Sequence, residues 1–219
     1  MRLLDIRDHG DLLVAVTLSS REMIGRAPDA ADEQDLSWLD WSTPRLMSDD
    51  GAWIVFEEGN DVNDDGYGVY MRDTRGGAPL LLGYGTAVAL SPDARWLAAV
   101  ERPFGEDPQL ALVPTGPGNP VPIETGSVIP LPETGTWLPG EGANGRGTLY
   151  FAGRESDGTI RLYRLPLDGT TEPVAITQRP VRTIDSTSST CASTWSGPPP
   201  AWSPWSFASG RDARRKARR

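Results

Sequence analysis

The feature that most constrains the fold is a phrase of turn residues followed by a short apolar strand. Its clearest copy, at 90–100, reads L-S-P-D-A-R-W-L-A-A-V. In its turn, Pro92 fixes φ at about −65°, and the Asp93 carboxylate can accept a hydrogen bond from the backbone two residues on. The same phrase occurs at 48–56, and a looser copy occupies 7–15. The sequence therefore predicts that one unit, a β-turn leading into a strand, is repeated along the chain.

The spacing of the phrase indicates a repeat array. The equivalent turn positions are Gly10, Gly51 and Ala94, which are 41 and 43 residues apart. A fixed period in this range is typical of repeat architectures, and four short strands fit into each period. A four-stranded sheet cannot cover both of its faces alone, whereas sheets stacked radially cover one another. We therefore expect an all-β fold, a partial β-propeller of about three to four four-stranded antiparallel blades.

The period also suggests where the units lie. We expect a blade remnant at 1–42, followed by three blades at about 43–85, 86–130 and 131–180. A second register supports this division, because Tyr70, Leu112 and Tyr163 each precede a turn glycine by six residues. These glycines are Gly76, Gly118 and Gly169, and each is followed by a proline at the start of the next strand. Proline is tolerated there, since its missing N–H is not needed.

The phrase resembles a known family signature. Residues 90–99 are similar to the repeat of TolB-type β-propellers, in which S-P-D-G precedes a basic residue and an aromatic-apolar strand. Neither copy matches the signature completely. In the copy at 90–99, Ala94 stands in place of the glycine, and in the copy at 48–56, Asp49 stands in place of the proline. Residues 35 to about 177 also resemble the propeller modules fused behind bacterial receptor-like serine/threonine kinases.

The resemblance implies a function of binding and not of catalysis. We expect a sensor module that holds a protein or a small ligand at the mouth of the propeller channel, within a larger signalling protein. Two alternatives stay open: a propeller accessory to a prolyl-oligopeptidase-like peptidase, and a decayed gene product without activity. Neither a kinase nor a hydrolase motif is found in the chain. Open blade edges also predict self-association.

Composition and charge narrow the functional classes further. The formal charge is −9, and the last nine residues contribute +5, so the remainder carries −14. An acidic body argues against nucleic acid as the partner, because phosphate contacts need clustered basic residues. The chain has one histidine and one cysteine, which excludes most zinc sites, most catalytic triads and an intrachain disulfide. With no secretory signal and no long apolar run, a cytoplasmic location is the default expectation.

The C-terminal stretch has a different composition. Residues 181–219 are rich in serine, proline and arginine, and the alternation of apolar and polar residues stops there. Such a composition is typical of segments that do not bury a core. We therefore expect a disordered tail.

Three residues are candidates for ligand binding. Trp38 and Trp41 lie three apart in L-S-W-L-D-W, and Arg102 follows an apolar strand in an expected loop. Indoles supply a large apolar area and more often pack between sheets than bind ligands, so both interpretations stay open.

An acidic loop is the candidate metal site. Asp61, Asn63 and Asp65 open a D-x-N-x-D-G pattern, in which alternate side chains can converge on a calcium ion. Position twelve of the pattern is Arg72, where a calcium loop would carry a bidentate glutamate. A solvated hairpin loop is therefore the competing interpretation, and no other cofactor is expected.

Overall fold

We describe the fold from a computed structural model of the chain. It describes residues 20–63, 66–101, 107–132, 135–140, 146–169 and 172–180, and the backbone alone at 2–6, 12–15, 60, 62 and 63. Every regular element in this part of the chain is a β-strand. They are β1 (Arg2–Ile6), β2 (Leu12–Ala15), β3 (Ile24–Gly25), β4 (Gln34–Asp35), β5 (Ser42–Met47), β6 (Trp53–Asn63), β7 (Gly66–Asp73), β8 (Leu80–Leu90), β9 (Trp96–Glu101), β10 (Gln109–Pro114), β11 (Val121–Ile123), β12 (Ile129–Pro130), β13 (Thr136–Leu138), β14 (Thr148–Arg154), β15 (Ile160–Pro166) and β16 (Val174–Ala175).

The strands form antiparallel sheets of sequential neighbours. The first sheet consists of β5, β6, β7 and the start of β8, and the second consists of the end of β8 with β9, β10 and β11. In the third sheet, β12 and β13 pair with different parts of β14, which is followed by β15 and β16. Two short hairpins, β1–β2 and β3–β4, precede them. The expected all-β fold of antiparallel sheets is confirmed, although the third sheet has five strands, one more than expected.

Strand β8 passes from the first sheet into the second at Gly85. Tyr67 pairs with Gly85 in the first sheet, and Thr86 pairs with Val100 in the second. Gly85 has φ +134, and a Cβ atom there would lie 2.5 Å from the carbonyl oxygen of Val100. Only glycine fits this crossing, because a side chain would collide with a backbone atom that cannot move aside.

Apolar clusters fill the spaces between the sheets. Between the first and second sheets lie residues such as Val55 and Leu97. Between the second and third lie residues such as Leu112 and Phe151. The other face of the first sheet packs through Phe56 against the segment around β3 and β4. The second sheet therefore buries both faces, as sheets do when neighbours stack against them.

The buried carboxylate of Glu57 also joins the first two sheets. It lies 2.9 Å from Nε of Arg45 on the neighbouring strand of the first sheet, without the alignment of a hydrogen bond. The same carboxylate accepts a hydrogen bond from the backbone N–H of Ala87 in the second sheet, at 3.0 Å. Glu57 is 6% exposed. Because it is bonded across the gap, this side chain fixes the position of β6 relative to the second-sheet part of β8.

The two clear copies of the turn phrase have the same geometry. In each copy the serine hydroxyl donates to the aspartate at 2.6 Å, from Ser48 to Asp50 and from Ser91 to Asp93. The serine oxygen in turn accepts from the backbone N–H of the first strand residue at 2.9 Å. Gly51 and Ala94 both have positive φ, +70 and +54. The repeated sequence is therefore a repeated hydrogen-bond pattern.

The second sequence register is wrong in the second sheet. Thr74 and Thr115 follow the third strands of their sheets, and each hydroxyl donates to the carbonyl of the turn residue, Gly51 or Ala94. This alignment makes Ala111, not Leu112, the equivalent of Tyr70. Leu112 belongs to the cluster that faces the third sheet. The glycine count failed because the glycine lies two residues after Thr74 but three residues after Thr115, although both connections, 74–79 and 115–120, have six residues.

Several expectations fall outside the described residues. The tail at 181–219, the candidate ligand residue Arg102 and the metal candidate Asp65 all lie there. In the part of the chain that the structure describes, no helix is long and apolar enough to cross a membrane.

Candidate functional site

The site is built on a loop that a buried glutamate holds in place. Glu58 on β6 is fully buried and accepts hydrogen bonds from three donors of the segment 39–42. The backbone N–H of Trp41 donates to Oε1 at 3.0 Å. The backbone N–H of Leu39 and the hydroxyl of Ser42 donate to Oε2 at 3.2 and 2.7 Å. A carboxylate with several donors is a strong anchor, so this loop has a fixed conformation.

An arginine supports the same loop from the neighbouring strand. Nη1 of Arg72 on β7 donates to the backbone carbonyls of Leu36 and Ser37, at 2.8 and 2.9 Å. Arg72, which occupies the position where a calcium loop would carry a glutamate, therefore has a structural role. It satisfies two carbonyls at the start of the tryptophan loop.

The loop presents two indoles and a leucine. Trp38 is 45% exposed and Leu39 is 44% exposed. Trp41 is half-buried, and its ring packs so closely on Gly59 that a Cβ atom there would lie 2.6 Å from Cδ1. We call Trp38, Leu39 and Trp41 the indole surface. Exposed aromatic groups on a rigid support are typical of binding sites.

A guanidinium already lies on this surface. The Cζ atom of Arg21 is 5.2 Å from the centroid of the Trp41 ring, which is within the range of a cation–π contact. Nη1 of Arg21 also donates to the hydroxyl of Thr43 at 2.8 Å.

Beside the indole surface lies a cluster of one carboxylate and two tyrosines. The hydroxyl of Tyr70 donates to Oδ2 of Asp61 at 2.5 Å, and the hydroxyl of Tyr84 donates to Oδ1 at 3.4 Å. The Trp38 side chain lies beside the same Tyr70 hydroxyl and lowers the pKa of Tyr70. Tyr70 therefore has Trp38 and Asp61 as neighbours, and we call Asp61, Tyr70 and Tyr84 the tyrosine–aspartate cluster.

The surroundings keep both tyrosines protonated. Burial, followed by the hydrogen bond to Asp61, raises the pKa of Tyr70 to about 12, although the neighbouring Trp38 side chain acts in the opposite direction. Desolvation and the nearby Asp61 charge also raise the pKa of Tyr84. Both hydroxyls are thus hydrogen-bond donors at neutral pH and poor bases, which suits binding better than proton transfer.

The structure brings together three of the residues singled out from the sequence. Trp38 and Asp61 both lie next to Tyr70, and Trp41 lies on the same loop as Trp38. Arg102 and Asp65 lie outside the described residues, and only the backbone of Asn63 is described. Among the described side chains, no group of three His, Cys, Asp or Glu could hold a metal ion. Calcium at Asp61, Asn63 and Asp65 stays a prediction, which the described part of the acidic loop does not test.

Sequence reasoning missed Glu58, Tyr70 and Tyr84 as parts of this site. Glu58 reads as a solvated acid beside Glu57, although it is fully buried. Tyr84 lies between two glycines at the crossing of β8, and Tyr70 is marked in the sequence only by its distance from Gly76. The available signal was pairing, because Tyr70 lies opposite Phe56 on β6. An aspartate five residues after that phenylalanine is then expected near the end of the same hairpin.

Comparison with known proteins gives the fold. The sequence matches no protein-family model, and no curated protein is similar to it. Among solved structures, the chain is similar to TolB from Acinetobacter baumannii with a TM-score of 0.50 and 20% identical residues. The match covers 71% of this chain and 37% of the TolB chain, so the chain spans little more than a third of that protein. The described sheets therefore have a TolB-like β fold.

Proposed function

We propose that this chain is a non-catalytic binding module whose partner docks on the indole surface. The observation that carries the proposal is the exposure of Trp38, 45%, on a loop anchored by the fully buried Glu58. Burying a rigid aromatic side chain on binding gains apolar area at a low cost in conformational entropy. Tryptophan is also enriched among the residues that dominate binding energies.

The chemistry around the indole surface supports binding and not catalysis. Beside it, Asp61 accepts hydrogen bonds from two tyrosines, and the raised pKa of Tyr70, about 12, keeps that hydroxyl protonated. Glu58 is enclosed and hydrogen-bonded to the loop. This arrangement favours a polar contact surface over a site of proton transfer.

The test compares two exposed tryptophans. The intact chain, its Trp38→Ala variant and its Trp53→Ala variant are immobilised and exposed to an extract of the source cells. Trp53 is the matched control, because it is 39% exposed and lies at the start of β6, away from the indole surface. We expect quantitative mass spectrometry to show a protein retained by the native chain and by Trp53→Ala but lost from Trp38→Ala. Equal retention by both variants, or equal loss from both, contradicts the proposal.

We further propose that the module serves as the sensor part of a larger signalling protein. The support is the resemblance of residues 35 to about 177 to propeller modules fused behind receptor-like kinases. The DNA flanking the reading frame tests this. A kinase frame upstream is the expected result, and a hydrolase frame downstream would instead favour the peptidase alternative.

A further inference from the structure

Two tyrosine–carboxylate clusters occupy equivalent places in the first and third sheets. In the third sheet, the Tyr163 hydroxyl donates to Glu155 at 2.9 Å, and the ring stacks on Phe151 with centroids 5.8 Å apart. In the first sheet, Tyr70 donates to Asp61 and stacks on Phe56 at 5.6 Å. The fold thus places a tyrosine, an aromatic partner and a hairpin carboxylate together twice.

The two clusters differ in how the carboxylate charge is balanced. In the third sheet, Nε of Arg161 lies 2.8 Å from Oε1 of Glu155 and forms an ion pair. For Asp61, no arginine, lysine or histidine within the described residues comes within ion-pair distance. Two tyrosine hydroxyls occupy only part of the acceptor capacity of a carboxylate. Asp61 can therefore accept further hydrogen bonds, which the arginine supplies at the other cluster.

The indole surface shows how a cation is held here. Arg21 rests on the Trp41 ring at 5.2 Å. Trp38 is the more exposed of the two indoles, and its side chain lies beside Tyr70, whose hydroxyl donates to Asp61. An aromatic face beside a carboxylate is suited to a guanidinium, which is planar, stacks on indoles and donates to carboxylates in a fixed fork.

We infer that Trp38 and Asp61 together receive the guanidinium group of an arginine side chain from a protein partner. The inference rests on the proposed function and names the chemistry that the indole surface recognises. Charge complementarity favours this occupant, because the chain outside its last nine residues carries −14. Such a charge attracts basic segments over distances beyond direct contact.

The test is a titration of the intact chain, labelled with ¹⁵N at the tryptophan indoles, with N-acetyl-arginine-methylamide. We expect the indole N–H signal of Trp38, assigned through Trp38→Phe, to shift progressively, and the signal of Trp53 to stay in place. The citrulline analogue has the same shape without the charge and is expected to leave both signals unchanged. Equal shifts of Trp38 with arginine and citrulline, or equal shifts of Trp38 and Trp53, overturn the inference.

Two aspartate variants isolate the carboxylate. Asp61→Asn is expected to weaken the arginine titration by roughly 2- to 5-fold, the range of exposed ion pairs. Asp40→Asn makes the same change in charge at an exposed residue of the tryptophan loop and is expected to have no effect. An equal effect of both variants means that general attraction, and not the Asp61 site, is responsible. Loss of a protein partner in Trp38→Ala without a specific arginine titration would overturn this inference and leave the binding module standing.

Discussion

Replacing Glu58 by glutamine tests how the site is held together. The native carboxylate accepts from the backbone of Leu39 and Trp41 and from the Ser42 hydroxyl, and it is fully buried. Glutamine keeps the shape but has one acceptor oxygen. Its amide nitrogen must face at least one N–H donor, so one buried donor is left without an acceptor. This costs about 1–3 kcal/mol, and the bonds that remain also lose their charge assistance.

The expected total is therefore a loss of about 2–4 kcal/mol, a large share of a typical stability of about 5–15 kcal/mol. For a chain of this length this lowers the melting temperature by about 5–15 °C. Urea unfolding, followed by tryptophan fluorescence with the m-value checked, measures the change directly. The loop that loses its anchor carries Trp38. The tryptophan fluorescence of the folded Glu58→Gln variant should therefore also shift to the red. Glu22→Gln makes the same chemical change at an exposed position and is expected to alter stability by less than about 0.5 kcal/mol. A Glu58→Gln chain as stable as the Glu22→Gln chain would refute the reasoning.

Three further predictions follow from the geometry. Glu57→Ala should cost about 1–3 kcal/mol, because it leaves the buried Ala87 N–H without an acceptor and removes the partner of the partly exposed Arg45. Calorimetry of Glu57→Ala against the exposed Glu33→Ala measures this, and equal melting temperatures would contradict it. Gly85→Ala should cost at least about 2 kcal/mol, because its Cβ would lie 2.5 Å from the Val100 carbonyl oxygen and its φ is +134°. Gly83→Ala, which has open space around it, should leave the stability nearly unchanged. Similar urea midpoints for the two variants would contradict the crossing of β8 at Gly85. The hydroxyl of Ser91, followed by the backbone N–H of Arg95, lowers the pKa of Asp93. A lowered folded-state pKa means that the stabilisation is complete above the unfolded value of about 3.9 and is lost as the pH falls through the folded value. The stability difference between the native chain and Asp93→Asn should therefore be constant above about pH 5 and shrink below about pH 4, and a difference that grows on acidification would contradict it.

The sequence predicts the strands and turns well because their determinants are local. The serine, the aspartate and the first strand residue of each phrase, such as Ser91, Asp93 and Trp96, are bonded to one another within six residues. Spacing then implies stacking, because one apolar sheet needs another against each face. The assignment of Leu112 failed where this locality ends, at a turn whose glycine lies one position later than in the first sheet.

The site could be predicted only in part, because its bonds join residues that are distant in sequence. Trp38 and Asp61 attract attention as residue types. Their neighbourhood depends on Glu58 reaching back across 17 residues to Trp41, and on Tyr84 reaching Asp61 across 23. These contacts depend on strand register and on burial, which cannot be inferred from the type of any single residue.

The central claim is that the repeated phrase builds antiparallel sheets that stack in chain order. Nuclear Overhauser contacts of the Leu112 methyl groups test it most directly. The glycine spacing makes Leu112 equivalent to Tyr70, whereas the structure places Leu112 on the face toward the third sheet. The account predicts contacts from Leu112 to Leu149 and Phe151 of the third sheet. Contacts to Val69 and Met71 of the first sheet, and none to Leu149 and Phe151, would contradict it.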